Sequence, residues 1–351
     1  MAALRSPRVS ASPCVDQFKS NVRVREARLE DLECPSFLDH YFSSAASGVG
    51  RDLEITATRT LLARAGRTSG WFRLFAQTQE GASGCLLVED KPWDTDILSV
   101  PTKSVTLLVG RATTKLRSEI ASHLIEKWFR EQATAEREYL VTRIPADDIA
   151  LLHAFEGSGF RVLVPMVTLG KINKRRANVT LPPGIEVSKV EEHEAGQVEE
   201  ISASAFQWGR FVADPNVPPE AAQKIHGTWA RNCCRGSQAE QVFVARRERE
   251  VLGFIALKSL MAGDTRVGSI ELIAASETAR GIGVGRALLQ VACNWFAECN
   301  QQVIVRTELP NTAALRLYES EDFRILNGSL YLSLLRAAAR CSYKMTPTDE
   351  G

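Results

Sequence analysis

The residues best suited to chemistry form one short run, Arg280-Gly281-Ile282-Gly283-Val284-Gly285-Arg286, between a strand-like stretch and a long amphipathic stretch. Glycines at such a junction let a ligand approach the backbone closely. The free amides of the next helix's first turn, at the positive end of its dipole, suit a phosphate. Spacing narrows the ligand. A dinucleotide fingerprint, G-x-G-x-x-G, requires glycine at 286 or 288, where the chain has Arg286 and Leu288, and a phosphate loop ending in G-K-[ST] is absent. What remains is R-x-x-G-x-G, carried by Arg280, Gly283 and Gly285. Downstream, Asn311, Ala314 and Tyr318 stand at i, i+3 and i+7 and share one face of a helix.

Strands and helices must hold these groups in place. Ser269–Ala275 reads as a strand, and Val284–Cys299 as a helix with Leu288, Ala292, Trp295, Phe296 and Cys299 inward. Gln302–Thr307 is a second strand and Asn311–Ser320 the helix bearing Tyr318. Gln241–Arg246 and Val251–Leu257 form an antiparallel pair around a charged turn, Arg247 to Glu250. The first half repeats the order: strand Ser104–Gly110, helix Lys115–Gln132, strand Glu138–Arg143, helix Asp147–Glu156 and a closing strand Phe160–Leu169. Residues 152–160 lie over residues 315–323, with Phe155 against Tyr318 and Phe160 against Phe323, about 163 residues apart. That spacing reads as one fold present twice; chance similarity of two amphipathic helices is the alternative.

The loop and the helix motif, N-x-x-A-x-x-x-Y, resemble the two signatures of the GCN5-related N-acetyltransferase (GNAT) superfamily, over residues 185 to about 345. The resemblance implies an α/β (α+β) chain of two tandem GNAT-like domains, each a mixed, mostly antiparallel sheet flanked by helices. Their expected limits are a flexible N-terminus over 1–19, a degenerate domain over 20–172, a linker over 173–184 and an acetyltransferase domain over 185–348. It further implies acetyl-coenzyme A as acyl donor and a primary amine as acceptor. The amides of Gly281, Ile282, Gly283, Val284, Gly285 and Arg286 would cradle the pyrophosphate, with Arg280 beside them. The backbone of Ile273, Ala274 and Ala275 would pair with the pantetheine arm as an added strand. Asn311, a helix N-cap by type, would also touch the coenzyme. Tyr318, with a phenol pKa near 10, would give its proton to the departing thiolate; an interior aromatic is the other reading. Glu271 is the first candidate for the base, or else a strand-edge residue facing solvent, and Glu308 the second candidate.

The first half has Phe155 for Tyr318 and Gly110-Arg111-Ala112-Thr113-Thr114 for the loop, so it is expected to bind no coenzyme and to serve structure or the acceptor. Gly209-Arg210-Phe211, Asp214-Pro215 and Trp229-x-x-Asn232 resemble a stretch of bacterial dTDP-fucosamine acetyltransferases, which acetylate a nucleotide-linked 4-amino sugar. By that resemblance Arg210 would pair with a diphosphate, while Phe211 and Trp229 would contact the acceptor or simply seal the core. Trp93-Asp94-Thr95-Asp96-Ile97-Leu98-Ser99 is similar to the W-D-S-E-F-F-G segment of those enzymes and departs from its Glu, both Phe and the Gly. Another small-molecule or peptide amine, or a scaffold without activity, are the alternatives.

Composition limits the rest. The chain has 351 residues, enough for two cores, with 43 basic and 42 acidic side chains, so whole-chain charge gives no basis for nucleic-acid or anionic-membrane binding. The basic run Lys174, Arg175, Arg176 reads as a solvated linker. Eight scattered cysteines without a C-x-x-C pair imply reduced thiols and no metal site. No apolar run reaches the ~18 to 20 residues of a membrane span. Met1 to Lys19 lacks a secretory apolar core, so a cytoplasmic protein is expected, acting on a small-molecule amine; a homodimer is left open.

Overall fold

The computed structural model of the protein describes residues 22–33, 37, 49–132, 137–172, 178–297 and 302–337. The expected flexible N-terminus, the Lys174 to Arg176 cluster and Cys14, Cys34, Cys299 and Cys341 lie outside them.

In the first half, β1 (Val22–Glu26), β2 (Trp71–Thr78), β3 (Ser83–Asp90) and β4 (Thr102–Val109) pair antiparallel in that order. Between them lie α1 (Leu29–Leu32), α2 (Val49–Arg67) and α3 (Pro92–Leu98). Strand β5 (Glu138–Pro145) runs parallel to β4, which requires a crossover, and α4 (Thr114–Glu131) supplies it. Thr113 starts that helix by accepting the Leu116 N–H at 3.3 Å. Helix α5 (Ile149–Gly157) and β6 (Arg161–Lys171) follow.

The second half opens with β7 (Glu186–Lys189), α6 (Ala195–Ala205), α7 (Arg210–Ala213) and α8 (Pro219–Cys234). It continues through β8 (Gln241–Arg247), β9 (Glu250–Ala262), β10 (Thr265–Ala275), α9 (Val284–Ala297), β11 (Gln302–Glu308), α10 (Thr312–Ser320) and β12 (Arg324–Arg336). Here β10 and β11 are the parallel pair. The two parallel pairs each run for four residues before they splay. Thr142 faces Val105 in one and Val305 faces Ile270 in the other, and Thr142 and Val305 keep the spacing of Phe155 and Tyr318.

One expectation is corrected. The closing strand of the first half does not close its own sheet: β6 pairs with β11, and β12 inserts between β5 and β6. The result is one sheet of 12 strands in the order β1-β2-β3-β4-β5-β12-β6-β11-β10-β9-β8-β7. The exchange leaves neither β6 nor β12 with an open edge, as two separate sheets would, which favours it. Helical segments cross over as well. Leu53 of α2 packs on Val267 and Ile304, while Phe211 and Ile225 pack on Tyr139 and Val141. The Asp214 carboxylate accepts hydrogen bonds from the Tyr139 hydroxyl at 2.6 Å and the Ser333 hydroxyl at 2.5 Å.

Beneath the first half lies a core of Leu86, Leu107, Ile120, Leu124, Trp128 and Phe155. Its counterpart holds Ile255, Leu288, Phe296, Val303, Tyr318 and Phe323. Gly268 is required there: a Cβ on it would stand 2.4 Å from the Phe296 ring.

Candidate active site

Strand β10 is paired with β9 through Ala275 but with β11 only over Val267–Ile270. The pairing to β9 shifts register between Ile270 and Leu272, so Glu271 is the extra residue of a bulge. The bulge bends β10 away from β11. Beyond it Ile273, Ala274 and Ala275 lie on an edge that no strand among the described residues covers on the β11 side, which a ligand's amide groups can extend. Gly253 lets α9 approach this edge, since a Cβ there would meet the Ala274 carbonyl at 2.8 Å and Val284 at 2.9 Å.

The chain leaves the edge through a short turn, Glu277–Ala279, and reaches α9 through the glycine loop. Gly281 and Gly283 have φ of 78° and 97°, in the left-handed region that glycine alone adopts freely. Arg280, Gly281, Ile282 and Gly283 are exposed, while Val284 is buried as the helix starts. Of the flanking cations, Arg280 makes a loose pair with Glu277 at 3.8 Å. Arg286 is held sideways by Glu321 at 3.2 Å and Ser320 at 3.2 Å. Asn311 is the N-cap of α10: its Oδ1 accepts the Ala314 N–H at 3.2 Å.

Tyr318 is buried on the inner face of α10, 5.8 Å from the Phe323 ring. Burial, and next the nearby charge of Glu308, raise its phenol above the ordinary value, so it keeps its proton at neutral pH. Burial likewise raises the Glu308 carboxyl. Gly209, at φ 145°, brings the backbone against this group. A Cβ on it would lie 3.4 Å from Glu308 Oε1 and 3.8 Å from His226 Nε2. His226 is stacked on Phe206 at 4.9 Å and set edge-on to Phe211 at 6.5 Å, and burial pushes it down to about 4. Both of its ring nitrogens are buried without a hydrogen-bond partner. Glu308 and His226 therefore meet at one glycine, and the Glu308 charge reaches the Tyr318 phenol. His226 was missed in the sequence, although a histidine on the apolar face of α8, among Ala222, Ile225 and Ala230, was the available signal.

Glu271 stands apart from that group. Half-buried at the bulge, it accepts a hydrogen bond from Ser269 Oγ at 2.6 Å, and its field reaches Arg306 and Cys233. Arg210 opens α7 with its guanidinium 4.4 Å from the Phe211 ring and 5.0 Å from the Tyr331 ring. Phe211 is a core residue, and Trp229 is half-buried against the cluster of Val198 and Ile201. Ser99, where the similar segment has glycine, adopts φ 53°.

The first half has the same splayed pair, with β4 and β5 joined only over Thr102–Val105 and Tyr139–Thr142. There the far end of β4 is occupied by a side chain. Arg117, the fourth residue of α4, donates to the Val109 and Gly110 carbonyls at 2.6 and 3.0 Å and pairs with Asp148. The fourth residue of α9 is Ala287, too short to reach across. Among the described residues no group of His, Cys, Asp and Glu is arranged to hold a metal, and no helix is long and apolar enough to cross a membrane. Among the described residues Cys85, Cys233, Cys234 and Cys293 form no disulfide.

Residues 204–323 match the model of the Acetyltransferase (GNAT) family. The chain is similar to the spore coat polysaccharide biosynthesis protein SpsD of Bacillus subtilis (strain 168), with 27% identity over 252 residues that cover 68% of this chain and 80% of that protein. Its backbone follows a GCN5-related N-acetyltransferase from Sphaerobacter thermophilus, with TM-score 0.59, 14% identity, and 90% and 96% of the two chains covered. It also follows a tandem GNAT protein from the clavulanic acid biosynthesis pathway, with TM-score 0.55, 11% identity, and 90% and 98% covered. Residues 204–323 are thus matched by an acetyltransferase family, the GNAT family, and the backbone of the whole chain follows a tandem of that fold with its last strands exchanged.

Proposed function

We propose that the second half transfers an acetyl group from acetyl-coenzyme A directly to a primary amine, the amine being that of a nucleotide-linked amino sugar. The observation that carries this reading is the open edge of Ile273 to Ala275 running into an exposed glycine loop, with Tyr318 and Glu308 near the splay. The edge would hold the pantetheine and the loop amides the pyrophosphate, so the thioester reaches the splay in a fixed orientation. There the amine nitrogen bonds to the acyl carbon and loses a proton to a carboxylate, directly or through water. The carbon–sulfur bond then breaks and the thiolate takes the Tyr318 proton.

Of the two carboxylates, Glu308 is favoured over Glu271. Its charge acts on the Tyr318 phenol, and burial raises its carboxyl, which suits a base. The sugar acceptor is supported by the similarity to a protein named for polysaccharide biosynthesis and by Arg210, an arginine suited to phosphate oxygens. Acetylation assays with amino-sugar nucleotides, free amines and peptides test the acceptor, and product from peptides alone would remove the sugar. Tyr318→Phe should lower kcat on the order of 10²-fold or more with coenzyme affinity nearly unchanged. Unchanged turnover would reduce Tyr318 to packing.

A further inference from the structure

A cavity of about 240 Å³ opens where β4 and β5 diverge in the first half, walled by both halves: Glu54, Ser104, Thr142 and Arg143 from the first, Arg210 and Tyr331 from the second. Arg143 pairs with Glu54 at 3.3 Å. Arg210 makes no ion pair among the described residues and lies over the Tyr331 ring, with Asp94 the acid whose charge it feels. A third guanidinium, Arg306, takes in β11 the place that Arg143 takes in β5 and is buried with its Nε unpartnered. Burial alone would raise the Tyr331 phenol, yet Arg210, Arg143 and Arg306 together draw it below its ordinary value, against the opposing charge of Glu308. The surroundings are therefore net cationic despite Glu54. A second observation also asks for a ligand. Thr142 is 2% exposed, lines the cavity, and its hydroxyl has no hydrogen-bond partner. Such a group is costly to leave unmet.

We infer that this cavity binds an oxyanion, a carboxylate or a phosphate group, held by Arg143 and Arg210 and hydrogen-bonded by Thr142. Planar guanidinium groups match the two oxygens of such anions. Arg210 follows Gly209, which lies against Glu308, so an anion here sits on the side of the proposed base. The first half, without a coenzyme loop of its own, then supplies part of the acceptor's binding site. Only the further statement that the acceptor itself carries the anion rests on the acetylation reading, and it narrows the substrate to amines bearing a carboxylate or a phosphate.

The test uses the full chain saturated with coenzyme A, so that the glycine loop cannot answer for the cavity. Inorganic pyrophosphate and, separately, malonate are titrated calorimetrically. At least one should bind with one molecule per chain, and which one binds tells phosphate from carboxylate. Arg210→Gln and Thr142→Val should each weaken that binding at least tenfold while coenzyme affinity stays within twofold, and Arg210→Lys should restore part of it. Arg143→Gln is the less suitable variant because it also breaks the pair with Glu54; thermal melts establish that the others fold. Binding of neither anion, or equal binding by the variants and the wild type, would overturn the inference. If wild type fails to bind coenzyme A, the acetylation reading falls, and the anion titration is read on the free chain with the same variants.

Discussion

His226 shows what burial does to a single side chain. Its ring lies between Phe206 and Phe211, away from water, and its pKa is pushed down from 6.5 to about 4. The folded state therefore keeps the neutral ring where the unfolded chain would take up a proton. Stability contributed by the neutral ring is complete above pH 6.5 and falls as the pH drops toward 4, by on the order of 3 kcal/mol in total. Urea unfolding of wild type and His226→Leu at pH 7 and pH 5 checks this. The wild type should lose stability between the two, and the variant should lose clearly less; equal losses would mean the ring is hydrated. Tyr318 belongs to the same residue scale. The spacing of Asn311, Ala314 and Tyr318 already put it on an inner helix face, and it is buried there. Its link to Glu308 was not legible, because they come from separate elements that only the fold brings within reach of each other's charge.

At the scale of elements, the strands and helices around the loop were legible because their residues alternate or repeat with clear periods. Val284 to Ala297 is the helix that its inward Leu288, Ala292 and Phe296 imply. The bulge at Glu271 was not legible, since a single extra residue leaves the apolar pattern nearly intact while opening the edge beside Ile273. Nor was the role of Asp214, which the sequence offers only as part of the stretch that resembles amino-sugar acetyltransferases. Buried at the crossing of the halves, it accepts from Tyr139, Ser333 and the Asn216 backbone N–H at 2.8 Å. Asp214→Ala would strand two buried hydroxyls and should cost on the order of 1–3 kcal/mol for each. Denaturant titration would measure it, and a loss below about 0.5 kcal/mol, the range of an ordinary surface change, would contradict this account.

Across the whole molecule, the duplication was visible at a spacing of about 163 residues, but the strand exchange was not. Phe160 to Leu169 has the same apolar pattern whether it pairs with β5 or with β11, so sequence periodicity cannot choose its neighbour. The exchange joins a half in which Arg117 occupies the carbonyls at the end of β4 to one in which Ala287 leaves the end of β10 uncovered. The account thus places all coenzyme binding in the second half. Calorimetric titration with acetyl-coenzyme A tests this most directly: it predicts one molecule per chain, lost in Gly283→Val, whose left-handed φ of 97° a branched side chain cannot share without strain. No binding, two molecules per chain, or binding that survives in a folded Gly283→Val would contradict it.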